Sequence, residues 1–339
     1  MPSSIDPAIV RALATSLKID ATSASLSSHG GSGFASTFRI TTPQTTVFVK
    51  TSNSAGAAVM FEGEHASLNA IHNAVPSLCP SSFAWGELEK GGYFLATEFL
   101  ELGGGLSRTR GSARSGSGMT LAQKMGKLHS TPAPIPDGYD KPMFGFPVTT
   151  CCGDTPQTNT YKESWADFFA ENRLMMILER SEKNNGKDAE LRKAVERTAL
   201  EVVPRLLGDG HLGGKDGIQP VVIHGDLWSG NKSKGSFVGR DGTSSDELGP
   251  VEDVVFDPSA VYGHSEYELG IHMMFGGFSG SYFKEYHEIV PKTEPVDEYE
   301  DRVALYESYH HLNHHAIFGG GYKSGALNIL KRLLKKYGE

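Results

Sequence analysis

The segment His224-Gly225-Asp226-Leu227-Trp228-Ser229-Gly230-Asn231, followed by Val254-Val255-Phe256-Asp257, constrains this chain more than any other feature. It sets a carboxylate and a carboxamide five residues apart, then a second carboxylate about thirty residues on, at the end of an apolar run. Short apolar strands are expected before each group, at Val221-Val222-Ile223 and Val254-Val255-Phe256, so the polar side chains should project from strand ends into a cleft. Phosphoryl transfer on a kinase-like scaffold uses these three groups. One Asp lies beside the incoming hydroxyl, an Asn reaches a Mg²⁺ from the same loop, and a further Asp holds the metal that bridges the β- and γ-phosphates. His-Gly-Asp alone could be a turn rich in small polar residues; the combined spacing points to the kinase reading.

A chain of 339 residues can hold two domains or one large unit of two lobes. The net charge of −8 and the lack of a basic stripe argue against nucleic acid as a partner. No run of eighteen apolar residues is present, which argues against a membrane span. Met1-Pro2-Ser3-Ser4-Ile5-Asp6-Pro7 lacks the basic start and apolar core of a signal peptide, so the cytoplasm is the expected compartment. Cys79 stands alone and Cys151-Cys152 are adjacent, a pattern with no readable disulfide framework. The histidines His310, His311, His314 and His315 have helical spacing and read as helix packing rather than a metal site.

Apolar periodicity predicts a helix over 5–18 and another over 56–73. Strands are expected around Phe38-Arg39-Ile40, Thr46 to Lys50, Phe83 to Gly86 and Tyr93 to Phe99, with 27–36 as a Gly/Ser stretch. Residues 103–118, rich in Gly, Ser and Arg, read as a linker. Helices are then expected over 119–130, 164–182, 188–207, 265–290, 299–318 and 325–337. Residues 231–251, with four glycines, suggest an extended surface hairpin. The implied fold class is α+β and bilobal. A small antiparallel-sheet lobe with one main helix spans 1–100, and a larger, mainly helical lobe spans 101–339.

The chain resembles the fructosamine/ketosamine-3-kinases, in the aminoglycoside-phosphotransferase-like branch of the protein-kinase fold. The matching segments include Phe61-Glu62-Gly63-Glu64, Thr150-Cys151-Cys152-Gly153, His224 to Asn231, Tyr262-Gly263-His264-Ser265-Glu266 and Met274-Phe275-Gly276-Gly277-Phe278. They run in family order over about residues 25 to 320. The resemblance implies ATP- and Mg²⁺-dependent phosphorylation of the third-carbon hydroxyl of a ketoamine, on a glycated protein or a free amine. The product is unstable and releases the amine, a deglycation repair. A monomer is the default expectation.

On this reading Asp226 orients the sugar hydroxyl and accepts its proton, and Asn231 and Asp257 hold Mg²⁺. Lys50 should reach the α- and β-phosphates, fixed by Glu64 in preference to Glu62. Gly31 and Gly33, within Gly30-Gly31-Ser32-Gly33, could let backbone N–H groups approach phosphate oxygens. Glu98, Phe99 and Leu100 fall where the inter-lobe hinge should bind adenine through backbone groups. Trp228 fits both packing on the sugar and core packing; His264 fits both substrate contact and a framing role. Many family members carry a cysteine where Phe34 stands, so redox control of the glycine loop is not expected. Residues 312–319 keep only part of the pattern the resemblance implies, losing a Trp and an Asn that could border the sugar, which leaves sugar preference open. Two rival readings are a kinase for an aminoglycoside- or choline-type amine and a nucleotide-binding pseudokinase. The absence of an acidic run in the later helices disfavours the first, and the intact set of Lys50, Glu64, Asp226, Asn231 and Asp257 opposes the second.

Overall fold

The structure is a computed structural model and describes residues 5–18, 24–31, 35–103, 118–239 and 247–338. The elements of the first half are α1 (Pro7–Leu17), β1 (Ser25–Gly31), β2 (Ser36–Thr41), β3 (Thr46–Ser52), α2 (Ala57–Ala74), β4 (Ser82–Glu87), β5 (Tyr93–Glu98), β6 (Leu100–Leu102) and α3 (Leu121–Ser130). Next come β7 (Thr150–Cys152), β8 (Thr155–Gln157), α4 (Trp165–Phe169), α5 (Met176–Asn185), α6 (Ala189–Arg197) and α7 (Val203–Leu207). The rest is β9 (Val221–Ile223), β10 (Lys232–Phe237), β11 (Glu252–Val255), β12 (Val261–Gly263), α8 (Tyr267–Phe275), α9 (Gly280–Ile289), α10 (Tyr299–Phe318) and α11 (Tyr322–Tyr337). The chain divides into two units, Met1–Lys124 with Asn231–Asp257, and Met125–Gly230 with Pro258–Glu339.

The first unit is built on an antiparallel sheet in the order β1-β2-β3-β5-β4. Alternation along β3 sorts its side chains between two faces. Val47 and Val49 point one way and pack with Ile40, Phe94 and Ala96 beneath Ile9 and Leu13 of α1. That helix starts where Asp6 accepts from the Ala8 N–H at 2.9 Å and Pro7 opens the first turn, both ordinary start signals. Phe48 and Lys50 point the other way. Lys50 pairs with Leu95, and Leu95 packs with Phe61 and Ala57 of α2, so α2 covers the face that carries the lysine.

A second sheet in this unit runs β11-β10-β6, with Lys232 opposite Val255 and Phe237 opposite Leu100. This pairing is why residues 231–257 group with the first unit, against the expected division at residue 100. Its anchor is Lys124, fully buried, which donates to Glu252 Oε2 at 2.7 Å and to the carbonyls of Ser77 and Asp253, each at 2.8 Å. A buried ammonium needs such partners, and these fix the strand leading to Asp257.

In the second unit β9 pairs with β12 and β7 with β8, both antiparallel. The helical core gathers Trp165, Phe168 and Phe169 against Tyr267, Tyr306 and Tyr309, with Trp165 Nε1 donating to the Tyr306 hydroxyl at 2.8 Å. Wide π-helical turns at Ala170–Met175 and Thr198–Val202 interrupt the expected helices over 164–182 and 188–207. The single helix expected over 265–290 is two, because the chain turns at Gly276 and Gly277, both with positive φ. Residues 27–31, read as part of a Gly/Ser stretch, lie in β1, which pairs with β2 from Ser25↔Thr41 to Gly31↔Ser36. Gly33, Phe34 and most of the expected linker, 104–117, lie outside the described residues.

Candidate active site

Within the first unit a cavity of about 470 Å³ opens on the lysine-bearing face of the sheet. That size falls in the ~300–1,000 Å³ range of small-molecule sites. The register explains its lining: Thr37 lies opposite Lys50, and Thr97 opposite Phe48, so all four share one face. His29, Leu100, Leu102 and Phe256 add walls. His29, Phe48 and Thr97 were not singled out from the sequence; the alternation around Lys50 was the available signal for Phe48.

Lys50 Nζ lies 2.7 Å from Glu64 Oε1 and 2.5 Å from Asp257 Oδ1. Glu64, rather than Glu62, is therefore the partner, as expected. Burial works against the ammonium, yet the Glu64 and Asp257 carboxylates outweigh it and hold Lys50 above its ordinary range. Asp257 adopts φ 55°, in the left-handed region that Asp tolerates better than most residues. Strain of this kind collects at working sites. The Phe256 N–H donates to the Asn231 carbonyl at 3.1 Å, one step beyond the Lys232↔Val255 pair. Asn231 and Asp257 thus occupy the same end of the β10–β11 hairpin, and both offer hard oxygen donors suited to Mg²⁺.

Of the three residues expected to meet adenine, Glu98 and Leu100 line the cavity. Phe99 does not: its ring is fully buried, and its carbonyl accepts from the Val238 N–H at 3.1 Å. That bond continues the β6–β10 ladder by one step and engages the Phe99 carbonyl within the fold. Gly31 ends β1, and Gly33 is outside the described residues.

In the second unit Asp226 follows β9 on a loop framed by Glu268. The Glu268 carboxylate accepts from the backbone N–H groups of His224 at 2.6 Å and Gly225 at 3.1 Å. Burial opposes its charge, but the nearby imidazoles of His129, His224 and His272 hold its pKa down to about 2. Gly225 has φ +81°, and a Cβ there would stand 2.1 Å from the Ser259 carbonyl oxygen. Only glycine fits that turn. Cys152 Sγ lies 3.7 Å from Asp226 Oδ1.

Trp228 is 37% exposed, lies 5.6 Å from Phe275 between ring centroids, and folds back over Gly230. It is a surface aromatic rather than a core one. His264 belongs to the frame. It is buried, with Nδ1 2.9 Å from the Tyr306 hydroxyl and Nε2 2.9 Å from the Thr293 hydroxyl, and burial lowers its pKa to about 4. Both ring nitrogens are engaged inside the fold, which, of the two expected roles, favours the framing one. Neighbouring Glu266 is likewise tied up, 2.7 Å from the fully buried Arg302.

The family model for fructosamine kinase matches residues 5–336. The chain belongs to the fructosamine kinase family. It is 36% identical over 304 residues to a ketosamine-3-kinase of Mus musculus, covering 85% of this chain and 88% of that protein. To a protein-ribulosamine 3-kinase, chloroplastic, of Arabidopsis thaliana it is 33% identical, covering 85% and 76%. Among solved structures, one from Haemophilus somnus 129PT, described as a candidate fructosamine-3-kinase, superposes with a TM-score of 0.67 at 22% identity, covering 96% of each chain. An aminoglycoside phosphotransferase APH(4)-Ia mutant, in a ternary complex with AMP-PNP and hygromycin B, gives 0.53 at 12% identity, covering 98% of each. The chain thus has the kinase-like α+β fold of the aminoglycoside phosphotransferases. No helix among the described residues is long and apolar enough to cross a membrane.

Proposed function

We propose that this member of the family transfers the γ-phosphoryl group of ATP to the 3-hydroxyl of ketosamines, on glycated protein lysines or free amines. Ribulosamine, erythrulosamine and fructosamine are the acceptors to which the reading extends. The observation that carries the donor side is the ion-paired set Lys50–Glu64 and Lys50–Asp257 on one nucleotide-sized cavity. The acceptor side rests on the relatives named ketosamine-3-kinase and protein-ribulosamine 3-kinase.

In this reading Lys50 binds the α- and β-phosphates, and Glu64 keeps its ammonium aimed at them. Asn231 and Asp257 would hold Mg²⁺, which would neutralise charge on the β- and γ-phosphates. The present Lys50–Asp257 contact would loosen when phosphate and metal compete for both groups. Glu98 and Leu100 would border the base, and the backbone of Gly31 would meet phosphate. Asp226 orients the acceptor hydroxyl and takes its proton. The exposed face of Trp228 suits stacking on a sugar ring.

The test is ADP release from Mg-ATP with ribulose-, erythrulose- and fructose-lysine, choline and kanamycin as candidate acceptors. ADP with the ketosamines and little with choline or kanamycin is expected. Release with only the last two would assign the chain to another amine kinase. ATP binding with no release would make it a pseudokinase.

A further inference from the structure

Strand β7 runs through Cys151 and Cys152, and alternation sends their side chains opposite ways. Cys151 is partly exposed, whereas Cys152 is 1% exposed, with Sγ 3.7 Å from Asp226 Oδ1. For a donor as large as sulfur this is within hydrogen-bonding reach, and the S–H···O bond is a weak but directional one. The hairpin that presents the thiol is pinned. Asn313 Nδ2 donates to the Cys152 carbonyl at 3.2 Å, and Gln157 Nε2 donates to the Tyr309 hydroxyl at 2.6 Å. Gln157 Oε1 accepts from the Thr150 and Ser259 hydroxyls at 3.1 and 2.6 Å. The Ser259 N–H in turn donates to the His224 carbonyl at 2.8 Å. One buried network therefore joins the β7–β8 hairpin to the loop that carries Asp226.

We propose that Cys152 is a positioning residue for the phosphoryl-transfer step, its S–H donating to Asp226 Oδ1 and fixing the rotamer of the carboxylate that meets the acceptor hydroxyl. This rests on the role given to Asp226 above. Burial, and then the negative charge of Asp226, push the thiol well above its ordinary range, so it stays a protonated donor. The same protonation removes it as a nucleophile, and Cys152 is a scaffold group rather than a redox one.

The experiment compares Cys152→Ala and Cys152→Ser in the full chain, with Cys151→Ala as a control on the other face of the strand. Steady-state rates with ribulose-lysine and Mg-ATP are read beside thermal melts. The expected result is a kcat about tenfold lower in Cys152→Ala, the size of one hydrogen bond to a charged group. KM for Mg-ATP and Tm should stay near wild type, Cys152→Ser should recover most of the loss, and Cys151→Ala should match wild type. An infrared readout needs no turnover: the S–H stretching band that disappears in Cys152→Ser should move to higher frequency in Asp226→Ala. An unchanged kcat in Cys152→Ala, equal losses in the Ala and Ser variants, an equal loss in Cys151→Ala, or a band indifferent to Asp226→Ala would overturn the assignment. Wild-type protein that turns over no ketosamine would instead overturn the functional reading, and the band would still report on the thiol contact.

Discussion

Replacing Asp226 by asparagine is expected to lower kcat by at least ~10²-fold while leaving Mg-ATP affinity nearly unchanged. The separation of effects follows from where the groups sit. Every residue lining the nucleotide-sized cavity belongs to the first unit, and Asp226 belongs to the second. Asparagine keeps the shape and one oxygen acceptor but loses the charge that draws the hydroxyl proton. In a loose transition state little proton has moved, so orientation is the larger share of the role. Asp226→Ala, which orients nothing, should therefore be slower still than Asp226→Asn. Initial rates with ribulose-lysine, paired with calorimetric titration of the nucleotide, check both points. A near-wild-type rate in Asp226→Asn would remove the residue from the mechanism.

The second large effect concerns stability and falls on Glu268. Its carboxylate satisfies two backbone N–H groups of the His224–Gly225 turn and lies 3.6 Å from His129 Nε2. Glu268→Ala strands those donors in a dry interior and should cost about 3–5 kcal/mol. Glu268→Gln keeps one acceptor and should cost about 1–3 kcal/mol. The pH dependence has a definite sign. The folded pKa of about 2 lies below the ordinary 4.5, so the stability from Glu268 is complete above pH 4.5 and is lost as pH falls through about 2. The imidazoles of His264 and His310, lowered by burial to about 4 and about 3, act in the same direction from 6.5 downward, since unfolding lets them take up protons. Tm should decline from about pH 6.5, with a further fall below 4.5 that Glu268→Gln removes. A Tm flat down to pH 3.5, or a Glu268→Gln variant with an unaltered acid limb, would contradict this account.

Much of the site was readable because its residues follow local periodicities. Lys50 lies in a β-branched strand, and Glu64 lies on the helix that follows, so a period of two and a period of 3.6 suffice to bring them together. The stretch from His224 to Asn231 was readable as a turn between polar groups, with Gly225 marking its tightest point. What stayed hidden depends on partners far along the chain. Lys232-Ser-Lys-Gly-Ser-Phe237 has no apolar alternation, and β10 exists because β6 and β11 supply its ladders. β1 is an edge strand of Ser, His and Gly with a single Leu, which composition alone assigns to a loop. The same non-local pairing took the Phe99 carbonyl, a group whose freedom the residue type could not reveal. His264 illustrates another limit. A polar residue in a family motif can equally serve a frame, and only the positions of Tyr306 and Thr293 decide between the two. The contact of Cys152 with Asp226 spans 74 positions, and no spacing rule reaches that far.

In the proposed reaction, this chain places phosphate on the third carbon of a ketosamine. The direct measurement is two-dimensional ³¹P–¹H NMR of the product formed from ribulose-lysine and Mg-ATP, taken before the amine is released. A single phosphate ester coupled to the proton on carbon 3 is expected, absent when Asp226→Asn replaces the wild type. A phosphate coupled to another carbon, or ADP formed with no sugar phosphate, would contradict it.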